Sequence, residues 1–228
     1  MSGMAAHVGV IVFPGSNCEH DVVESVQSLG GSGRVVWHGD TSLGDVDAVV
    51  LPGGFAHGDY LRPGAIARFS PIMKAVEAFA AEGGPVVGIC NGFQVLTESG
   101  LLPGALQKNA GLKFLCRPER LRVEAGGTAL TTGIEVGTEL AIPINHFEGN
   151  YTCEPETLAE LQADDRIVFR YVDNPNGSTD DIAGVCSAGR NVVGLMPHPE
   201  RASHPLLGST DGVPLLRSLL VTAGALTA

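Results

Sequence analysis

An α/β fold with a doubly wound, mostly parallel sheet flanked by helices, and a small antiparallel extension, is predicted by three features of this chain. Continuous apolar, β-branched runs such as VGVIVF (Val8 to Phe13) have the pattern of strands buried on both faces. Between them lie stretches with helical spacing, so strand and helix alternate through the first hundred residues. After about Leu112 the pattern changes to short strands punctuated by Gly, Asn and Pro, which predicts the extension.

The elements follow in order. Pro14-Gly15 closes the first strand, and Ser16 and Asn17 are candidate caps for a helix in which Val22, Val23, Val26 and Leu29 recur on one face until Gly30-Gly31. Arg34 to Trp37, Ala48 to Leu51 and Pro85 to Ile89 read as further strands, and Ile72 to Ala81 and Gly92 to Ser99 as helices. Arg120 to Glu124, Ile142 to Phe147, Ile167 to Tyr171 and Val192 to Met196 read as the later strands, and Pro214 to Ala223 as a closing helix. No linker, repeat or low-complexity tract interrupts residues 1–228, so one domain is expected.

Composition narrows the classes of function. With 44% hydrophobic and 17% charged residues in 228, the chain is expected to be globular rather than disordered or coiled. A formal charge of −11 repels phosphate backbones and anionic lipid heads, so neither nucleic acid nor membrane is an expected partner. The start lacks a basic, apolar signal pattern, and no run of apolar residues is long enough to span a bilayer. Five scattered cysteines without metal-ligand spacing fit a reducing, cytoplasmic setting, and no metal is expected on this chain. His7, His20, His38, His57 and His204 show no ligand-like grouping.

The strongest local signal is PVVGICNGFQVLTESG, residues 85 to 100. A strand runs through Gly88-Ile89-Cys90-Asn91-Gly92 directly into a helix, a nucleophile elbow with cysteine in place of serine. The turn is so sharp that the residues two before and two after the nucleophile must be small. It lifts the sulfur clear of the sheet, beside helix amides that favour a thiolate. A thiol nucleophile needs a base, and the base needs an orienter. In Met196-Pro197-His198-Pro199-Glu200 the flanking prolines are expected to keep the backbone extended, so that i and i+2 place the Glu200 carboxylate beside the His198 imidazole. Acyl chemistry also needs oxyanion donors, for which the amides of Gly54, in Leu51-Pro52-Gly53-Gly54-Phe55, and of Asn91 are the candidates. The loop from Gly53 to Pro63 carries Asp59, Tyr60 and Arg62, read as exposed.

LPGGF, G-x-C-x-G-x-Q (Gly88 to Gln94) and H-P-E (His198 to Glu200), in that order, resemble the class I, or triad-type, glutamine amidotransferases. VIVFPGSNCEHD, GGFAHGDYLRPGAIA and PINHFEGNY narrow the likeness to the amidotransferase subunits of phosphoribosylformylglycinamidine synthase, across Val8 to about Leu220. The resemblance implies that Cys90 attacks the side-chain amide of L-glutamine, that His198 is general base and acid, and that Glu200 orients it. Gln94 is implied as a contact to bound glutamine, with His146 and Glu148 near the substrate. Phe147 stands where the family's H-G-E-G usually has a glycine. The chain has no phosphate loop and three lysines, so ATP and Mg are expected on a partner. The resemblance names that partner as a large synthetase subunit, with a small bridging subunit in many bacteria, the complex converting formylglycinamide ribonucleotide to its amidine in purine synthesis. Two other readings are a cysteine hydrolase of the DJ-1/PfpI type, in which H-P-E has no role, and a catalytically silent structural subunit.

Overall fold

A computed structural model describes residues 5–224. Strand β1 (His7–Val12), helix α1 (Glu19–Ser28), β2 (Ser32–Trp37), β3 (Ala48–Leu51), α2 (Ile72–Ala81), β4 (Val86–Ile89) and α3 (Asn91–Glu98) build the first half. The second half contains β5 (Ala105–Gln107), β6 (Leu115–Val123), β7 (Glu139–His146), β8 (Asn150–Thr152), α4 (Pro155–Ala163), β9 (Ile167–Tyr171), β10 (Ile182–Cys186), β11 (Val192–Leu195) and α5 (Val213–Thr222).

Nine strands form one sheet in the order β2-β1-β3-β4-β11-β10-β9-β6-β7, and β5 pairs with β8 in a separate ribbon. The first five strands of that order are parallel, and the rest extend the same sheet antiparallel. Strands β3, β4 and β11 are buried along their whole lengths, as the apolar runs require. Their carboxyl ends share one edge, because Leu51 pairs with Gly88 and Ile89 with Leu195. Pro52-Gly53, Cys90 and Met196 therefore leave the sheet side by side, at the place where ligands of open parallel sheets bind.

Three local expectations differ from what the chain builds. Helix α1 is capped at Cys18 without a side-chain bond, while the Ser16 hydroxyl accepts from the Phe13 amide instead. Strand β6 begins five residues earlier than Arg120, because its Leu115–Pro118 end pairs only with β7 and tolerates Pro118 facing Pro143. Strands β5, β8 and β10 and helix α4 were not foreseen. Strand β10 carries Gly184 in mid-run, where a Cβ would lie 2.6 Å from the Gly194 carbonyl oxygen. Only Leu161 of α4 is buried, which leaves that helix almost without apolar periodicity. No helix among the described residues is long and apolar enough to cross a membrane.

Candidate active site

Cys90 sits between β4 and α3 with φ 50° and ψ −104°, a conformation that costs a non-glycine residue on the order of 1–3 kcal/mol. The surroundings hold it there. The Cys90 amide donates to the Leu195 carbonyl at 2.8 Å, and a Cβ on Gly92 would lie 1.9 Å from the Leu51 carbonyl oxygen. A Cβ on Gly88 would come within 2.7 Å of the Gly92 backbone. Gly92 is thus required by the packing of the elbow against β3, and Gly88 by its packing against α3. The sulfur is 3.7 Å from the Asn145 carbonyl oxygen.

His198 follows β11 and projects beside it, with Nδ1 2.6 Å from Glu200 Oε1 and both side chains at most 1% exposed. The expected pairing is present, but its backbone is not extended. Pro199–Ala202 forms one turn of 3-10 helix, because proline at the first helical position has the φ that a helix needs and no amide to strand there. The turn is held at Glu200, whose carbonyl accepts from the Ser203 hydroxyl at 2.8 Å and lies 3.2 Å from that of Ser25. Burial alone would lower the His198 pKa, but the Glu200 carboxylate, with the sulfurs of Cys90 and Cys18, raises it well above the ordinary histidine value. The His198 Nε2 and Glu200 Oε2 atoms are buried without a hydrogen-bond partner. Gly53 makes room for the ring, since a Cβ there would lie 2.7 Å from His198 Cε1.

Gly54 adopts φ +149°, and among the described residues neither its amide nor that of Asn91 is consumed by a backbone hydrogen bond of the loops. The Asn91 side chain locks the elbow to the 53–63 loop by accepting from the Ala56 amide at 3.0 Å and donating to Asp59 Oδ1 at 3.3 Å. Asn91 also donates to Gln94 Oε1 at 2.9 Å, and Gln94 Nε2 donates in turn to the Glu148 carbonyl at 2.5 Å. His146 Nδ1 faces Asn109 Oδ1 at 3.1 Å. Asn109 spends its amide nitrogen on the Lys113 and His146 carbonyls, so its oxygen must accept, and the proton sits on His146 Nδ1. Nε2 of His146 is left as a bare, buried acceptor, and burial followed by the charge of His198 depresses the pKa to about 4.

A cavity of about 360 Å³ gathers Gly54, Cys90, Gln94, His146, Glu148 and His198. Of the eight candidates, Glu200 lies behind His198 and Asn91 beneath Gln94. The cavity also takes in Cys18, Asp59, Lys108 and Asn145, which sequence reasoning did not assign to the site. Of the loop residues expected to be exposed, Asp59 departs and Tyr60 and Arg62 do not. Asp59 turns inward at φ +53°, and Arg62 is clamped by two hydrogen bonds to Glu98 at 2.5 and 2.7 Å. Tyr60 and Leu61 stand furthest out in solvent, at 74% and 90% exposure. Ligand atoms of Cys18, His198 and Glu200 lie within 4.8 Å of one another, a donor set that suits zinc by type. The short His198–Glu200 hydrogen bond already uses two of those donors, and Arg201 donates to the third, the Cys18 sulfur, at 3.1 Å.

Residues 5–211 match the CobB/CobQ-like glutamine amidotransferase domain. The phosphoribosylformylglycinamidine synthase subunit PurQ of Rubrobacter xylanophilus is 60% identical over 216 residues, covering 95% of this chain and 98% of its own. The PurQ subunit of Koribacter versatilis is 54% identical, covering 93% and 96%. Among solved structures, a chain of the PurLQS structure from Thermotoga maritima superposes with a TM-score of 0.88 at 42% identity, over 96% of this chain and 99% of that one. The elbow cysteine, the buried imidazole with its carboxylate and the sheet that presents them thus occur in a chain that belongs to the glutamine amidotransferases, and within them to the PurQ subunits of phosphoribosylformylglycinamidine synthase.

Proposed function

We propose that this chain, acting as one glutamine amidotransferase domain, hydrolyses L-glutamine at Cys90 and delivers the ammonia to a synthetase partner. The observation that carries the reading is the meeting, in one cavity, of a strained elbow cysteine with a buried histidine whose Nδ1 is held by a buried carboxylate. The Cys90 sulfur attacks the side-chain amide carbon of glutamine, forming the S–C bond while the carbonyl π electrons move to oxygen. The developing oxyanion lies against the Gly54 and Asn91 amides. His198 passes the thiol proton to the departing nitrogen, the C–N bond breaks, and ammonia leaves a glutamyl thioester. His198 then takes a proton from water as it attacks the thioester, the C–S bond breaks, the sulfur recovers its proton from His198, and glutamate leaves. Glu200 keeps the imidazole in the tautomer and orientation both half-reactions need.

The partner is a large synthetase subunit with a small bridging subunit, which would supply the ATP and Mg sites. The PurLQS chain supports this reading by its full-length similarity. A DJ-1/PfpI-type hydrolase would leave the His198–Glu200 pair unexplained, and a silent subunit would have no use for a complete triad. The test is Cys90→Ala in the reconstituted complex. Glutamine-dependent synthesis should disappear while synthesis from added ammonium persists. An electrophilic glutamine analogue should label Cys90 far faster than Cys18, Cys116, Cys153 or Cys186. Glutamine turnover that survives the substitution would refute the reading.

A further inference from the structure

We infer that Cys18, a buried thiol that takes no part in the proposed bond changes, is a positioning residue for His198: it joins the turn that carries the base to the loop that carries the oxyanion donor. The inference rests on the reading of Cys90, His198 and Glu200 as glutaminase machinery. Cys18 is 1% exposed and stands at the head of α1, yet its side chain caps nothing there. A helix start ordinarily takes Ser, Thr, Asp or Asn, whose oxygens bind the free amides of the first turn. Here the position goes to a residue whose side chain is used elsewhere.

Its contacts show where. The amides of Asn17 and Cys18 both donate to the Gly53 carbonyl at 3.3 Å, which ties α1 to the residue before the oxyanion donor Gly54. The thiol proton is directed to Asn17 Oδ1 at 3.1 Å, so the sulfur is free to accept. It accepts from Arg201 Nη2 at 3.1 Å, in the turn that carries His198 and Glu200. Arg201 Nε reaches Asp21, one turn further along α1, at 3.4 Å, so the guanidinium holds α1 at two successive points. One donor atom from each of Cys18, His198 and Glu200 lies within 4.8 Å of the others. Gly53 permits this closeness, since a Cβ there would lie 3.0 Å from Cys18 Sγ and 2.7 Å from His198 Cε1. Loop, helix and turn thus meet at one residue. Around the His198 ring stand Glu200, Cys90, Cys18 and, on β7, His146. Burial works against the protonated ring, and Cys18 joins Glu200 and Cys90 in favouring it.

The experiment measures glutamine hydrolysis by the reconstituted complex across pH, with urea unfolding to show that each variant is folded. Cys18→Ala should lower kcat by about 10–100-fold, the scale of a misplaced catalytic group, and leave KM within twofold. The limb of the kcat/KM profile governed by His198 should move to lower pH. Cys18→Val refills the space without an acceptor and should fail in the same way. Cys18→Ser restores an acceptor for Arg201 and should regain most of the lost kcat. An unchanged kcat in Cys18→Ala, a loss carried by KM, a limb that stays in place, or rescue by Val rather than Ser would overturn the positioning role while leaving the glutaminase reading intact. Glutamine turnover that persists in Cys90→Ala would instead remove that reading and the role with it.

Discussion

At the scale of single residues, the candidate site places a buried charge beside one buried carboxylate and two sulfurs that favour it. The Glu200 carboxylate outweighs burial and favours the protonated His198, and in the proposed reaction that proton passes to the departing nitrogen. Glu200→Gln removes the charge, so burial dominates and the His198 pKa falls; the limb of the kcat/KM profile governed by His198 should move to lower pH. His198→Ala should cost about 10²–10⁴-fold in kcat, Glu200→Gln less, and the double variant no more than His198→Ala alone. A double variant that loses the product of the two single losses would mean that they act separately. The sequence showed these residues because the chemistry needs rare types at fixed spacing. It did not show Cys18, Asp59 or the bare nitrogen of His146, whose surroundings arise from neighbours 32 to 183 positions distant, such as Asn91 for Asp59 and Arg201 for Cys18. The expectation of an extended H-P-E failed because proline before a turn is as much a helix starter as a helix breaker.

At the scale of elements, the elbow is a strand, a turn and a helix packed so closely that one methyl group is too many. Gly92→Ala forces a Cβ against the Leu51 carbonyl oxygen, a backbone atom of β3 that cannot turn aside. It should cost about 3 kcal/mol in urea unfolding. Gly111 is the control, since a Cβ there meets nothing within 4 Å, and Gly111→Ala should change stability by less than about 0.5 kcal/mol. Similar costs at both positions would show that the elbow is looser than its contacts. The same closeness explains which elements were legible. Strands β1, β3, β4 and β11 are buried on both faces and announce themselves as apolar runs. The β5–β8 ribbon has three residues per strand, too few for any periodicity to register. Arg62 offers a related lesson, because a sequence cannot show that its charge is spent on Glu98 of α3 rather than offered to a partner.

For the whole molecule, the two histidines of the candidate site set opposite slopes of stability against pH. His146 has its folded pKa depressed to about 4, so below about 6.5 the unfolded chain binds a proton that the folded chain refuses. Stability therefore falls as pH drops from 6.5 towards 4, by about 2 kcal/mol at pH 5 from this residue alone. Asp59, with its raised pKa, opposes this between about 6 and 4, but it is partly exposed and carries the smaller weight. His198 has its folded pKa raised, so its contribution is complete below the unfolded value near 6.5 and is lost as pH climbs through the folded value. The two slopes meet near neutrality, where stability should be greatest. Urea unfolding from pH 4.5 to 9 checks this, and the variants assign the slopes. His146→Gln should flatten the acid side and spare the alkaline side. His198→Ala should do the reverse on the alkaline side and remove part of the acid slope as well, because the charge of His198 is one cause of the His146 shift. An acid slope unchanged in His146→Gln would place the acid sensitivity elsewhere in the molecule.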